Sequence, residues 1–172
     1  MNARSQLNAL LNKGKGAEAR RIIRTRLKEF PDDHWLMSKM AQAYEVEGRL
    51  SKALEWSRRA VSLAPRCPIV LWDFAGINFL MNRRAPAIKT LNALKRRTVK
   101  SLTTGPCGQS ESWARALLAD SRLMLSWIHA ECGERKAALR EVKKHLQLRA
   151  RGSRSSYRIA EARQQLRALV SE

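Results

Sequence analysis

The sequence predicts an all-α protein assembled from antiparallel helix pairs, and three observations lead there. Long stretches rich in Ala, Leu, Arg, Lys and Glu are punctuated by only 8 Gly and 5 Pro in 172 residues, a composition that favours helix. No alternating Val/Ile/Thr segment bounded by turn residues occurs, which argues against a sheet. Finally, a 34-residue interval recurs in three registers: Ala19, Ala53 and Ala87, then Gly14 and Gly48, then Pro31 and Pro65.

Taken in order, the pairs fall near Arg4–Asn12 with Gly16–Phe30, then Asp33–Glu47 with Ser51–Leu63. Pro68–Met81 follows with Ala85–Lys100, then Ser112–Cys132 with Glu134–Leu148. Asp33 and Ser51 carry the side-chain oxygens that an N-cap needs. Gly48 suits a tight turn, Ala53 and Ala60 let two helices approach, and Pro65 ends a helix. Pro86 is tolerated in a first helical turn. Between the third and fourth pairs, Thr103-Thr104-Gly105-Pro106-Cys107-Gly108 reads as a loop. After Arg151-Gly152-Ser153-Arg154, Ser155 or Ser156 caps a last helix to Val170, with Ile159, Ala162, Leu166 and Leu169 on one face.

The central unit, His34 to Cys67, carries Tyr44, Gly48, Ala53, Ala60 and Pro65. In these residues and in its period the chain resembles the tetratricopeptide repeat, a 34-residue helix-turn-helix unit, over roughly Ser5 to Arg149. The resemblance implies a single domain over 1–172 wound as a right-handed superhelix, with repeats near 1–33, 34–67 and 68–101. A loop insertion near 98–112 then precedes a degenerate fourth repeat near 113–150, where Gly133 and Ala138 resume the pattern 51 residues after Ala87. The helix at 155–170 covers the exposed end of the stack or folds back into its groove.

The first helices of such repeats line a concave groove. Carried over by resemblance, the groove residues are Arg4, Asn8, Trp35, Lys39, Gln42, Trp72, Asp73, Phe79 and Trp127, with Ser38, Glu45, Ile69, Gly76, Leu123 and Met124 beside them. The family's clamp for a terminal carboxylate needs basic residues where Ile69 and Asp73 stand, so the resemblance does not extend to that ligand. Trp35, Trp72 and Trp127 fit binding anchors, and equally fit core side chains. Lys39 and Asp73 occupy equivalent positions one repeat apart, which suits a cross-repeat ion pair.

The 34 Lys and Arg exceed the 15 Asp and Glu by 19, an excess that steers acidic partners and binds polyanions weakly. Arg83, Arg84, Lys89, Lys95, Arg96, Arg97 and Lys100 form a run without an acid, a candidate polyanion site or a solvated face. Arg20, Arg21, Arg24, Arg26 and Lys28 form a second cluster, and Lys143, Lys144, Arg149, Arg151 and Arg154 a third.

Catalytic, cofactor and metal chemistry have no signature. His129 and Cys132 lie three apart without the further ligands of a zinc site, and His34 and His145 read as surface or helix-end residues. No phosphate loop or nucleophilic triad occurs. Three cysteines at irregular spacing suit a reducing compartment, and no apolar signal region or membrane span is evident. The expectation is a cytoplasmic, non-enzymatic adaptor, scaffold or chaperone without a cofactor, gripping a protein or peptide in the groove. An acidic partner and self-association are compatible with it, and membrane insertion is not. The alternative is a nucleic-acid-associated protein that uses a basic convex surface without sequence specificity.

Overall fold

The computed structural model describes residues 3–105 and 107–171. Pro106 of the expected loop, and the first two residues of the expected first repeat, lie outside them. Every regular element among the described residues is helical: α1 (Ala3–Asn12), α2 (Gly16–Glu29), α3 (His34–Glu45), α4 (Leu50–Leu63), α5 (Pro68–Leu80), α6 (Arg84–Lys95), α7 (Val99–Thr103), α8 (Glu111–Glu131), α9 (Arg135–Ala150) and α10 (Ile159–Ser171). The chain divides into two compact units, Met1–Ala87 and Ile88–Glu172.

One backbone device recurs between paired helices. Gly14, Gly48 and Gly133 adopt φ of 70°, 71° and 73°, and Asn82 adopts 57° at the equivalent place. The next amide then donates back five residues: Lys15 to Leu10 O (2.9 Å), Arg49 to Tyr44 O (2.9 Å), Arg83 to Asn78 O (2.8 Å) and Glu134 to His129 O (2.8 Å). This is the six-to-one closure of a helix by a left-handed residue, which glycine adopts freely and asparagine tolerates. Ala19, Ala53, Ala87 and Ala138, each five residues beyond that turn, are completely buried.

In the first unit, α3 packs against α1, α2, α4 and α5. Its core joins Leu7, Leu11, Ile23, Leu36, Met40, Tyr44, Leu54 and Ile77 with the small side chains of Ala19, Ala41, Ala43 and Ala53. Arg20 and Arg49 both lie over the Tyr44 ring, 4.7 and 4.9 Å from its centre, and Arg20 also pairs with Glu47. Gly16 starts α2 against α3 so closely that a β-carbon there would collide with the Ala43 carbonyl oxygen. In the second unit, α8 packs on α7, α9 and α10, and α10 also packs on α9. Leu123, Ala138, Val142, Ala162 and Leu169 form its core cluster, with Trp127, Tyr157 and Leu166 against it.

Several local expectations change. Asp33 caps α3 as expected, accepting from the amides of Trp35 (2.8 Å) and Leu36 (3.0 Å). Ser51 does not cap α4, which already begins at Leu50, after Arg49. The expected Ala85–Lys100 helix stops at Lys95, because Thr98 turns extended and caps a separate helix, its Oγ1 accepting from Ser101 N at 3.1 Å. Neither Ser155 nor Ser156 caps α10. Ser155 Oγ donates to Asp120 of α8, Ser156 N donates to the other Asp120 oxygen at 2.8 Å, and α10 starts only at Ile159. Ile159 is 38% exposed and so lies off the packed face that Ala162 and Leu169 occupy. No described helix is long and apolar enough to cross a membrane.

Candidate functional site

The first unit gathers most of the expected groove residues on α1, α3 and α5. On α3, Trp35, Ser38, Lys39, Gln42 and Glu45 follow helical spacing and share one stripe. Arg4 of α1 lies 4.9 Å from the Trp35 ring centre, and Lys39 Nζ lies 5.5 Å from it, so the ring sits among two cations.

Lys39 and Asp73 do not form the direct ion pair expected of them. Lys39 Nζ donates to Gln42 Oε1 at 2.9 Å, and Gln42 Nε2 donates to Asp73 Oδ1 at 2.8 Å, so the amide relays between the charges. Ser38 Oγ donates to the other Asp73 oxygen. Both charged groups are buried rather than solvated, at 8% and 7% exposure. Burial lowers the Lys39 ammonium from its ordinary value, against the attraction of Asp73. Burial likewise pushes the Asp73 carboxyl up, opposed by Lys39 and by the Ser38 and Gln42 hydrogen bonds.

Glu45 completes the stripe. Burial first, and the neighbouring Asp73 charge second, push its carboxyl up to about 7. Among the described residues no hydrogen bond or ion pair meets it. The site therefore brings together one ammonium, one guanidinium, two carboxylates, an amide, a hydroxyl and an indole, with the Glu45 carboxylate unmatched. Trp72 and Phe79 are half-buried on α5, and Asn8 is exposed on α1.

Trp127 lies in the second unit and is taken up by its own chain. Tyr157 meets its ring edge-on at 4.8 Å, and Glu161, Gln164, Gln165 and Ala168 of α10 line an open dimple beside it. Gln165 Nε2 donates to Ser126 O at 3.4 Å, and Arg135 Nε donates to Leu169 O at 2.7 Å, holding α10 there.

The seven residues of the expected polyanion run differ in their exposure and partners. Arg83 and Arg84 are half-buried in the first unit, while the other five residues belong to the second. Lys95 is drawn inward, donating to Glu141 Oε1 at 2.5 Å, and Arg122 donates to Glu141 Oε2 at 2.9 Å. Burial alone would raise the Glu141 carboxyl, but the bonds and charges of Lys95 and Arg122 outweigh it and hold it below its usual range. Arg97 donates to Ser101 O at 2.9 Å, which leaves Lys89, Arg96 and Lys100 as exposed members of the run.

Sequence reasoning placed Lys39 and Asp73 but missed what buries them, and it missed the Glu141 pairing altogether. It also misplaced His145, which is completely buried, with Nδ1 donating to Ala119 O at 2.8 Å. His129 Nδ1 faces Glu134 rather than Cys132.

No protein-family model and no curated protein matches the chain. Among solved structures, a crystal structure of MamA protein aligns over 96% of this chain and 77% of its own at TM-score 0.65 and 18% identity. A second crystal structure of MamA aligns over 99% and 94% at TM-score 0.60 and 18% identity. The MamA RS-1 ArsTM double mutant aligns over 84% and 72% at TM-score 0.61 and 14% identity. MamA is a tetratricopeptide-like helical repeat protein, and this chain shares that fold.

Proposed function

We propose that this chain is a non-enzymatic adaptor that holds a segment of another protein against α1, α3 and α5 of its first unit. The observation that carries this reading is Glu45, a half-buried carboxylate that no side chain pairs, near the Asp73 charge and in line with Trp35. Leaving such a group unmatched costs stability, and a Lys or Arg from a bound segment would offset that cost. Trp35 offers the aromatic platform that hot spots favour. The fold supports the reading as the kind of scaffold on which such grooves occur, and it names no partner.

This reading refines the expected partner. The overall charge favours acidic molecules, but the Glu45 carboxylate, which no side chain pairs, favours a cationic side chain at that position. Selection from a displayed peptide library tests it. Peptides retained by the wild-type chain are expected to share an Arg or Lys at one position and to lose binding to Trp35→Ala and Glu45→Gln variants of unchanged helicity. Acidic consensus sequences, or binding indifferent to both substitutions, would overturn it.

A further inference from the structure

The outer side of α9 carries a stripe of cations that the groove reading does not use. Lys136, Arg140, Lys143, Lys144, Gln147 and Arg151 fall within about 100° of arc around the helix and span about 22 Å of its length. All six are exposed. The acids of this segment point elsewhere: Glu141 is buried with Lys95 and Arg122, and Glu134 faces His129. Arg140 alone has an acidic neighbour, Glu141 at 3.8 Å. Five cations thus stand in a row with almost no internal neutralisation.

The kind of partner follows from what the stripe lacks. Membrane-surface helices insert large apolar side chains alongside their cations. The exposed residues of α9 are Lys136, Arg140, Lys143, Lys144, Gln147 and Ala150, and its Leu139, Val142 and Leu146 are packed inward. Protein interfaces favour aromatic anchors and are depleted in Lys, whereas three of the four stripe cations within α9 are Lys and no aromatic stands among them. A lysine-rich, exposed, apolar-free stripe matches repeated phosphates, which are met without any motif.

We infer that the outward face of α9 is a docking surface for the phosphate backbone of a nucleic acid, bound without sequence preference. This stands apart from the groove, in the other unit and on different residues. If all five cations meet phosphates, log affinity falls against log salt with a slope of about −4.5, roughly a 500-fold loss between 50 and 200 mM salt.

The test is fluorescence anisotropy of a mixed-sequence 20-base-pair DNA duplex with the full chain over that salt range. A quadruple variant (Lys136→Gln, Arg140→Gln, Lys143→Gln, Lys144→Gln) is expected to lower the slope by about 3.6. A control variant of equal charge change on α2 (Arg21→Gln, Arg24→Gln, Arg26→Gln, Lys28→Gln) is expected to leave it within about one unit of wild type. Circular dichroism checks that both variants keep wild-type helicity. Absence of wild-type binding at 50 mM salt, or equal slope losses in both variants, would overturn the inference. Phosphatidylglycerol vesicles and poly-glutamate are run in parallel. Binding of either that is tighter than the duplex and is lost with the α9 substitutions would reassign the stripe to lipid or to acidic protein.

Discussion

Replacing Glu45 by Gln should change stability at one end of the pH range and not at the other. The folded carboxyl is pushed up to about 7 from a reference of 4.5. A raised acid favours the fold while it remains protonated, so its contribution is fully present below the unfolded value and lost as pH rises through the folded one. The gap corresponds to up to about 3 kcal/mol, reduced by whatever solvent reaches this half-buried side chain. His145 works in the opposite sense in the other unit, because burial lowers its imidazole and acid therefore destabilises that unit. The readout is accordingly the difference between wild type and Glu45→Gln at each pH. Urea unfolding followed by tryptophan fluorescence should give near-equal stabilities at about pH 4 and a variant more stable by up to about 3 kcal/mol at about pH 8. A difference that stays flat across this range would refute the account of Glu45 as a half-buried, unmatched acid.

Other substitutions probe the frame around the site. Glu141→Ala strands Lys95 and Arg122, which are 18% and 25% exposed, and should cost about 2–4 kcal/mol in denaturant unfolding; no measurable loss would show that the pairing is idle. Gly16→Ala drives a methyl into the Ala43 carbonyl and should cost about 1–3 kcal/mol with faster hydrogen exchange in α2 and α3. Gly48→Ala has open space and only the left-handed penalty of about 1–2 kcal/mol, so a larger loss there than at Gly16 would contradict the close-approach reading. Asp120→Ala removes the acceptor of Ser155 and Ser156 and should speed tryptic cleavage at Arg154 and Arg158 about tenfold, whereas wild-type cleavage rates would place the anchorage of α10 elsewhere.

Much of the fold was legible because repetition writes the same requirement several times. The interval that relates Ala19, Ala53 and Ala87 marks small side chains at packed positions, and all three are fully buried. The turn residues Gly14, Gly48 and Asn82 keep that interval because each must take a left-handed conformation. Asp33 was readable because capping is a local act. What escaped depends on long-range pairing. The Gln42 relay, the 46-residue reach from Lys95 to Glu141, and the Asp120 anchor for Ser155 are charge and hydrogen-bond matches that spacing along the chain does not encode. Likewise, the inward turn of Lys95 within the basic run, whose residues lie on a turn, two helices and a linker, is not written in their adjacency. The α9 stripe depends on knowing that Glu141 points inward, which only the packed structure supplies.

The five tryptophans offer the most direct measurement of the groove. Titrating a selected Arg-bearing peptide into isotope-labelled chain and following the indole N–H signals should move Trp35 and Trp72 while Trp56, Trp113 and Trp127 hold still. Saturation that leaves Trp35 and Trp72 unmoved, or shifts confined to Trp113 and Trp127, would contradict binding against α1, α3 and α5.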